Sequence, residues 1–204
     1  MELYSRLIFP RLLELTMSGR ELGSYRQSLL QSVKGQVLEI GFGTGLNLPY
    51  YSDGVTALTV VDPNQGMTAI ATPRIQSSNL DITLQIASAE ALPMASESFD
   101  AVVCTWTLCS ILHIDQALSE VHRVLKPGGK FFFIEHGLSP EPGVSTWQRR
   151  ITPLQRRVAD GCHLDRPMAN LVKTVFDQVE LEEFYAIDLP KLLGYFYKGS
   201  ATKH

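Results

Sequence analysis

Residues Glu39-Ile40-Gly41-Phe42-Gly43-Thr44-Gly45 could hold a ligand against bare backbone. Glycine reaches positive φ without strain, and without a Cβ it lets a bound molecule approach the main chain. The dinucleotide fingerprint G-x-G-x-x-G would need a glycine at 46, where Leu46 stands instead. Asp62 ends the next strand-like run, and an acid there is placed to accept hydrogen bonds from ribose hydroxyls. No basic residue stands nearby for a pyrophosphate, and Glu39 would repel one, so the pattern favours an adenosine without phosphates. Purely structural roles compete: Glu39 as a helix cap, and Asp62 as the opening of an Asp62-Pro63-Asn64 turn.

A second group of reactive residues follows the fifth strand-like run. His136, in Glu135-His136-Gly137, has a side chain that titrates near neutrality and suits a base or an orienting group, or else holds a loop carbonyl. Asp160-Gly161-Cys162-His163 invites a metal or thiol role. No second ligand pair stands at zinc-like spacing, so no metal is expected. Trp147, Ile151, Leu154 and Val158 recur at helical spacing, so one face of a helix is apolar. Arg149, Arg150, Arg156 and Arg157 make the rest of that helix basic, as a solvated face or as a contact for anionic head groups.

Strand-like runs at Val37–Ile40, Ala57–Val61, Ile82–Ala87, Ala101–Trp106 and Lys130–Glu135 position these residues. Their separations are mostly long enough for crossover helices, which predicts an α/β fold on a parallel sheet. Ser24 is expected to cap a helix running to about Val33. A second helix, Gln116–Leu125, is expected to start at an Asp115 cap and stop at Pro127-Gly128-Gly129. Val179–Ala186 and Leu192–Ser200 are too close for a parallel crossover and predict an antiparallel hairpin. Apolar residues around Pro10 predict two short amphipathic helices meeting at the proline, as a lid on the core or a contact with a membrane surface.

The chain has 204 residues, a net charge of −3 and three cysteines. These values argue against an electrostatic nucleic-acid binder and against a disulfide scaffold, and point to a reducing, cytoplasmic setting. No spanning apolar run and no secretory signal are evident. One domain, 1–204, is expected: an N-terminal helical lid (1–33), a cofactor-binding core (34–137), then an acceptor-side helix and C-terminal hairpin (138–204).

Glu39-x-Gly41-x-Gly43-x-Gly45, Val61-Asp62-Pro63-Asn64, Ala89-Glu90-Ala91-Leu92-Pro93, Ser98-Phe99-Asp100 and Leu125-Lys126-Pro127-Gly128-Gly129 resemble, in order, the motifs of class I S-adenosylmethionine-dependent methyltransferases. The resemblance implies a Rossmann-like doubly wound seven-stranded sheet of order 3-2-1-4-5-7-6 with strand 7 antiparallel. It implies S-adenosylmethionine as cofactor, with S-adenosylhomocysteine as product. Gly41, Phe42, Gly43, Gly45 and Asn47 would pass along the methionine part, with Glu39 near its amino end. Asp62 would take the ribose, and Pro63, Asn64, Met67, Ser88, Ala89 and Glu90 would surround the adenine. Cys104 to Thr107, including Thr105 and Trp106, would line the path to the methyl group, with Cys104 alternatively a small buried hydrophobe at a strand end.

Cys104-Thr105, Leu108-Cys109-Ser110, Glu135-His136, Ser145-Thr146-Trp147 and Asp160-Gly161-Cys162 further resemble the methyltransferase-like thiol S-methyltransferases. That likeness implies a small, partly apolar acceptor, first a thiol and alternatively an ethanolamine phospholipid head group. Trp106, Cys109, Trp147 and Cys162 would line its site, and His136 and Asp160 are the candidate bases. Peripheral membrane contact and a monomer or weak dimer fit this picture. A nicotinamide-dependent oxidoreductase and a non-catalytic adaptor are the alternatives from other classes.

Overall fold

The computed structural model describes residues 3–204; Met1 and Glu2, the start of the expected lid, lie outside the described residues. Seven strands form one sheet: β1 (Gly35–Ile40), β2 (Val55–Val61), β3 (Ile82–Gln85), β4 (Phe99–Thr105), β5 (Leu125–His136), β6 (Gln178–Tyr185) and β7 (Tyr195–Thr202). Their order is β3-β2-β1-β4-β5-β7-β6. Strands β1 to β5 pair in parallel, and β7 runs antiparallel to both β5 and β6. The doubly wound sheet read from the sequence is therefore present.

The central strands are buried on both faces, so alternate side chains enter different cores. Leu38, Val102, Phe131 and Phe133 meet Leu118 and Val121 of α4 (Ile114–Val124) on one side. Val37, Val103 and Phe132 meet Leu29 and Leu30 of α2 (Arg20–Leu30) on the other. Before α2, a π-helical turn (Tyr4–Ile8) leads into α1 (Phe9–Met17). Pro10 stands at the second position of α1, where the π-helical turn passes into the α-helix, and its missing N–H interrupts the ladder between the two. No helix among the described residues is long and apolar enough to cross a membrane.

Several local expectations need correction. Ser24 does not cap α2, which starts after Gly19; the Ser24 hydroxyl instead donates to the Glu21 carbonyl (2.7 Å). Asp115 lies inside the first turn of α4, behind an N-cap at His113, where its charge complements the helix dipole. Strand β5 starts at Leu125, which pairs with Phe99 before residues 126–129 bulge and the ladder resumes at Lys130–Ala101. The second hairpin strand starts at Tyr195, because Leu193 and Gly194 donate to the Pro190 carbonyl and lengthen the turn.

The apolar stripe read from the sequence lies on α5 (Pro142–Val158) and largely faces solvent. Trp147, Leu154 and Val158 are 53%, 63% and 47% exposed, and only Ile151 of the four reaches the core. Gln148 and Thr152 are buried instead. Gln148 accepts from Ser139 N–H (2.9 Å) and donates to the carbonyls of Gly137 (3.0 Å) and Leu192 (3.2 Å). With its hydrogen bonds satisfied, a buried amide carries little penalty and can dock the helix.

Candidate active site

The carboxyl ends of β1, β2 and β4 surround a cavity of about 290 Å³. Gly41 leaves β1 at φ +69°, and a Cβ there would overlap the Thr107 side chain. The Asp62 carboxylate accepts from Gly43 N–H (2.8 Å) and from Asn64 N–H (2.8 Å), so it fastens the glycine loop while facing the cavity. Burial pushes the Asp62 carboxyl upward, against the pull of those two N–H groups. Asn64 accepts from Gly66 N–H (2.9 Å) as the cap of α3 (Gln65–Ser77) and donates to the Ser5 carbonyl (2.8 Å). Pro63, Met67, Ser88, Ala89 and Glu90 complete this side, and Phe9 and Leu13 of α1 form the outer wall.

A smaller hollow of about 60 Å³ shares Gly41, Gly43 and Trp106 with the first and is closed by Glu39, Phe42, Asn47, Thr105 and Arg26. Glu39 accepts from Asn47 Nδ2 (2.9 Å) and the Tyr51 hydroxyl (2.7 Å), and burial pushes its carboxyl up to about 7. Arg26 lies 4% exposed, with its guanidinium 4.7 Å from the Trp106 ring and one nitrogen donating to the Met17 carbonyl (2.9 Å). Burial lowers it to about 10, so it stays charged at neutral pH. Arg26 Nε, Thr44 Oγ1, Asn47 Oδ1 and Trp106 Nε1 are all buried without a partner, and all four residues line this hollow. Unpaired buried polar atoms are scarce in folded proteins, so four around one hollow mark a place for a polar ligand. The donor set fits the charged amino-acid end of S-adenosylmethionine.

Trp106 itself has φ +50°, a left-handed conformation costly for a bulky residue, held by its N–H donating to the Ile134 carbonyl (2.7 Å). Next to it, buried Glu135 accepts from the N–H groups of Thr107 (2.8 Å), Leu108 (2.9 Å) and Cys109 (3.3 Å). Burial raises this carboxyl to about 8. The loop so anchored supplies Thr107, Ser110, Ile111 and Leu112 to the wall of the large cavity, beside the Asp160-Gly161 turn, where a Cβ on Gly161 would meet the Ser110 carbonyl. Asp160 accepts from the Ser5 hydroxyl at 2.9 and 3.0 Å.

Most expected cofactor positions thus meet at one place, but not all expected site residues do. Gly45, at φ +82°, lines neither cavity, and neither does Cys104, whose Sγ lies buried 3.6 Å from Glu135. Trp147 is carried outward on α5 and does not border the large cavity. His136, Cys109 and Cys162 gather behind the cavity wall, with His136 Nε2 2.9 Å from Cys162 Sγ. Arg26 escaped sequence reasoning. Its signal is its position on the buried face of α2, in helical register with Leu22, Leu29 and Leu30.

The sheet order, the glycine loop and the acid after β2 define a methyltransferase, and a methyltransferase domain family matches residues 38–133. The chain belongs to the class I S-adenosylmethionine-dependent methyltransferases. Thiol S-methyltransferase TMT1B of Homo sapiens is 32% identical over 190 residues, covering 85% of this chain and 77% of that protein. The rat (Rattus norvegicus) TMT1B is 38% identical over 152 residues and 72% of this chain, which there spans only 62% of the relative's length. Among solved structures, Haemonchus contortus phospholethanolamine N-methyltransferase 2, in complex with phosphomonomethylethanolamine and S-adenosylhomocysteine, superposes with a TM-score of 0.70. It is 17% identical, over 97% of this chain and 61% of that one. A Mesorhizobium loti S-adenosylmethionine-dependent methyltransferase gives a TM-score of 0.66 at 20% identity, over 91% of this chain and 98% of that one. The cofactor is S-adenosylmethionine.

Proposed function

We propose that this methyltransferase acts on a small, partly apolar thiol. When bound, S-adenosylmethionine supplies a sulfonium methyl group already activated for transfer. Asp62 takes the ribose hydroxyls, Gly41 and Gly43 admit the cofactor against backbone, and Pro63, Asn64, Met67, Ser88, Ala89 and Glu90 surround its base. Arg26 binds the carboxylate of the amino-acid end, and Glu39, steadied by Asn47 and Tyr51, faces its ammonium. Trp106 and Thr107 orient the acceptor and keep water from the reacting atoms.

The observation that carries the thiol reading is the acceptor wall. Phe9, Leu13, Ile111 and Leu112 make much of the cavity wall apolar, and the carboxylates along it are already engaged: Asp160 accepts from the Ser5 hydroxyl, Glu90 from His113 N–H and Asp62 from Gly43 N–H. A thiol suits such a wall because a few per cent is already thiolate at pH 7, whereas an ammonium must first lose a proton to a base. The thiol S-methyltransferase relatives support the same choice. An ethanolamine phospholipid acceptor is the second reading. It is favoured by the solvent-facing Trp147, Leu154 and Val158, on a helix that also carries Arg149, Arg150, Arg156 and Arg157.

The test is transfer of labelled methyl from S-adenosylmethionine to alkyl and aryl thiols, and in parallel to ethanolamine phospholipids in mixed micelles. Label in thioether products is expected. Label confined to the lipid phase would overturn the thiol reading and make Asp160 the base to examine.

A further inference from the structure

Cys109, His136 and Cys162 come from three separate segments: the loop after β4, the carboxyl end of β5 and the turn after α5. Both cysteines are buried, 2% and 4% exposed, at the edge of the apolar core, where they converge on an imidazole. Their sulfurs and an imidazole nitrogen lie within 4.8 Å of one another. The backbone holds this convergence, because His163 N–H donates to the Cys109 carbonyl (2.9 Å).

We propose that Cys109, His136 and Cys162 form a three-ligand site for a thiophilic divalent cation, for which zinc is the probe. Zinc binds thiolate sulfur at about 2.3 Å and imidazole nitrogen at about 2.0–2.1 Å, which sets tetrahedral ligand atoms roughly 3.5–3.8 Å apart. The trio needs only a small adjustment, the Cys162–His136 contact of 2.9 Å opening by roughly 0.6 Å. Two thiolates and a neutral imidazole would balance the dication, which suits a buried place better than an uncompensated charge.

The surrounding groups hold the Cys109 loop from both sides. Glu135 takes the N–H groups of residues 107 to 109. The Arg166 guanidinium donates to the carbonyls of Leu108 and Ile111. Both grip the backbone that carries Cys109, while the outer nitrogen of His136, Nδ1, has no partner among the described residues. Three protein ligands leave a fourth position for water or an outside ligand. Ser110, whose Oγ lies 3.7 Å from Cys109 Sγ, lines the large cavity, so the site stands one residue behind the acceptor wall. A bound cation would tie that wall to the Asp160 segment. This inference is independent of the acceptor's identity, and its test needs neither acceptor nor cofactor.

The experiment uses the full chain, without a histidine tag, purified under reducing conditions. Metal content is measured directly; the protein is then stripped with a chelator and titrated with cobalt(II). One equivalent is expected to bind, with thiolate-to-cobalt charge-transfer absorption and the intense visible bands of a tetrahedral site, and zinc is expected to displace it. Cys109→Ser and Cys162→Ser should each weaken binding at least about 100-fold, since losing even an outer-shell partner costs 10–100-fold. Cys104→Ser should leave the titration unchanged. The wild-type spectrum decides the matter even if a serine variant fails to fold. Absence of the charge-transfer band, its persistence in both serine variants, or recovery of the two cysteines as a disulfide from the reduced preparation would overturn the site.

Discussion

Replacing Arg26 with methionine keeps most of the side chain's bulk and removes the charge from the smaller hollow. Charge-assisted hydrogen bonds contribute about 1.5–3 kcal/mol each, so one such bond to a carboxylate corresponds to roughly a 10- to 150-fold loss of affinity. The same substitution breaks the bond to the Met17 carbonyl and the contact over Trp106, a stability cost of about 2–5 kcal/mol that thermal unfolding would register separately. The discriminating assay is calorimetry with two ligands: S-adenosylhomocysteine, which has the amino-acid end, and 5′-methylthioadenosine, which does not. Affinity for the first should fall by the full factor and affinity for the second by less than threefold. An equal loss for both would show that Arg26 only supports the fold, and the assignment of the hollow to the carboxylate would be wrong.

Asp62→Ala should weaken both ligands by about 2 kcal/mol through lost hydrogen bonds to the charged group; a change under threefold in calorimetry would refute the ribose assignment. Gly41→Ala meets both a φ of +69° and the Thr107 side chain, so cofactor binding should be lost and unfolding should come at lower denaturant. Normal binding by that variant would contradict the described loop. Glu39 is raised from 4.5 to about 7, so the native state holds a proton there that the unfolded chain releases between those values. Stability from this group is therefore highest below about pH 4.5 and falls by about 3 kcal/mol as pH rises to 7. Glu39→Gln should flatten part of that slope in urea titrations at pH 5 and pH 8, and an unchanged slope would sink the account. Trp147→Ser, at a half-exposed position, should shift stability by no more than about 0.5 kcal/mol in the same assay.

The strand order was legible because each central strand is a short β-branched or aromatic run buried on both faces, and such runs survive local reading. Helix starts were less so. Ser24 and Asp115 are good capping types, but α2 runs through Gly23 from Arg20, and α4 starts one residue before Asp115 at Ile114. Which face of α5 is buried was not legible, because periodicity finds apolar stripes, not a glutamine whose three hydrogen bonds make it the better side to bury. Among cofactor-side positions, those on the glycine loop and after β2 announce themselves by type and spacing. Arg26 does so only as a charge on an apolar face. Cys109, His136 and Cys162 lie far apart in sequence, on segments whose meeting depends on tertiary structure, so no ligand spacing could reveal them.

The helical turn at the amino end has a consequence for how the chain assembles. Tyr4 donates to the Val158 carbonyl (2.6 Å), 154 residues away, and Ser5 donates to Asp160, 155 residues away. Asn64 grips the Ser5 carbonyl from a third point. Residues 4–17 are therefore made well before residues 158–160, which they need as partners. Most of their leucines stay exposed even in the fold, so these hydrogen bonds carry much of the docking. Long-range contacts of this kind form late, and the regions they join are among the first to open again. Native-state hydrogen exchange should find residues 4–17 opening well below the energy of the central strands, so the cavity's outer wall would come and go while the sheet behind it stays folded.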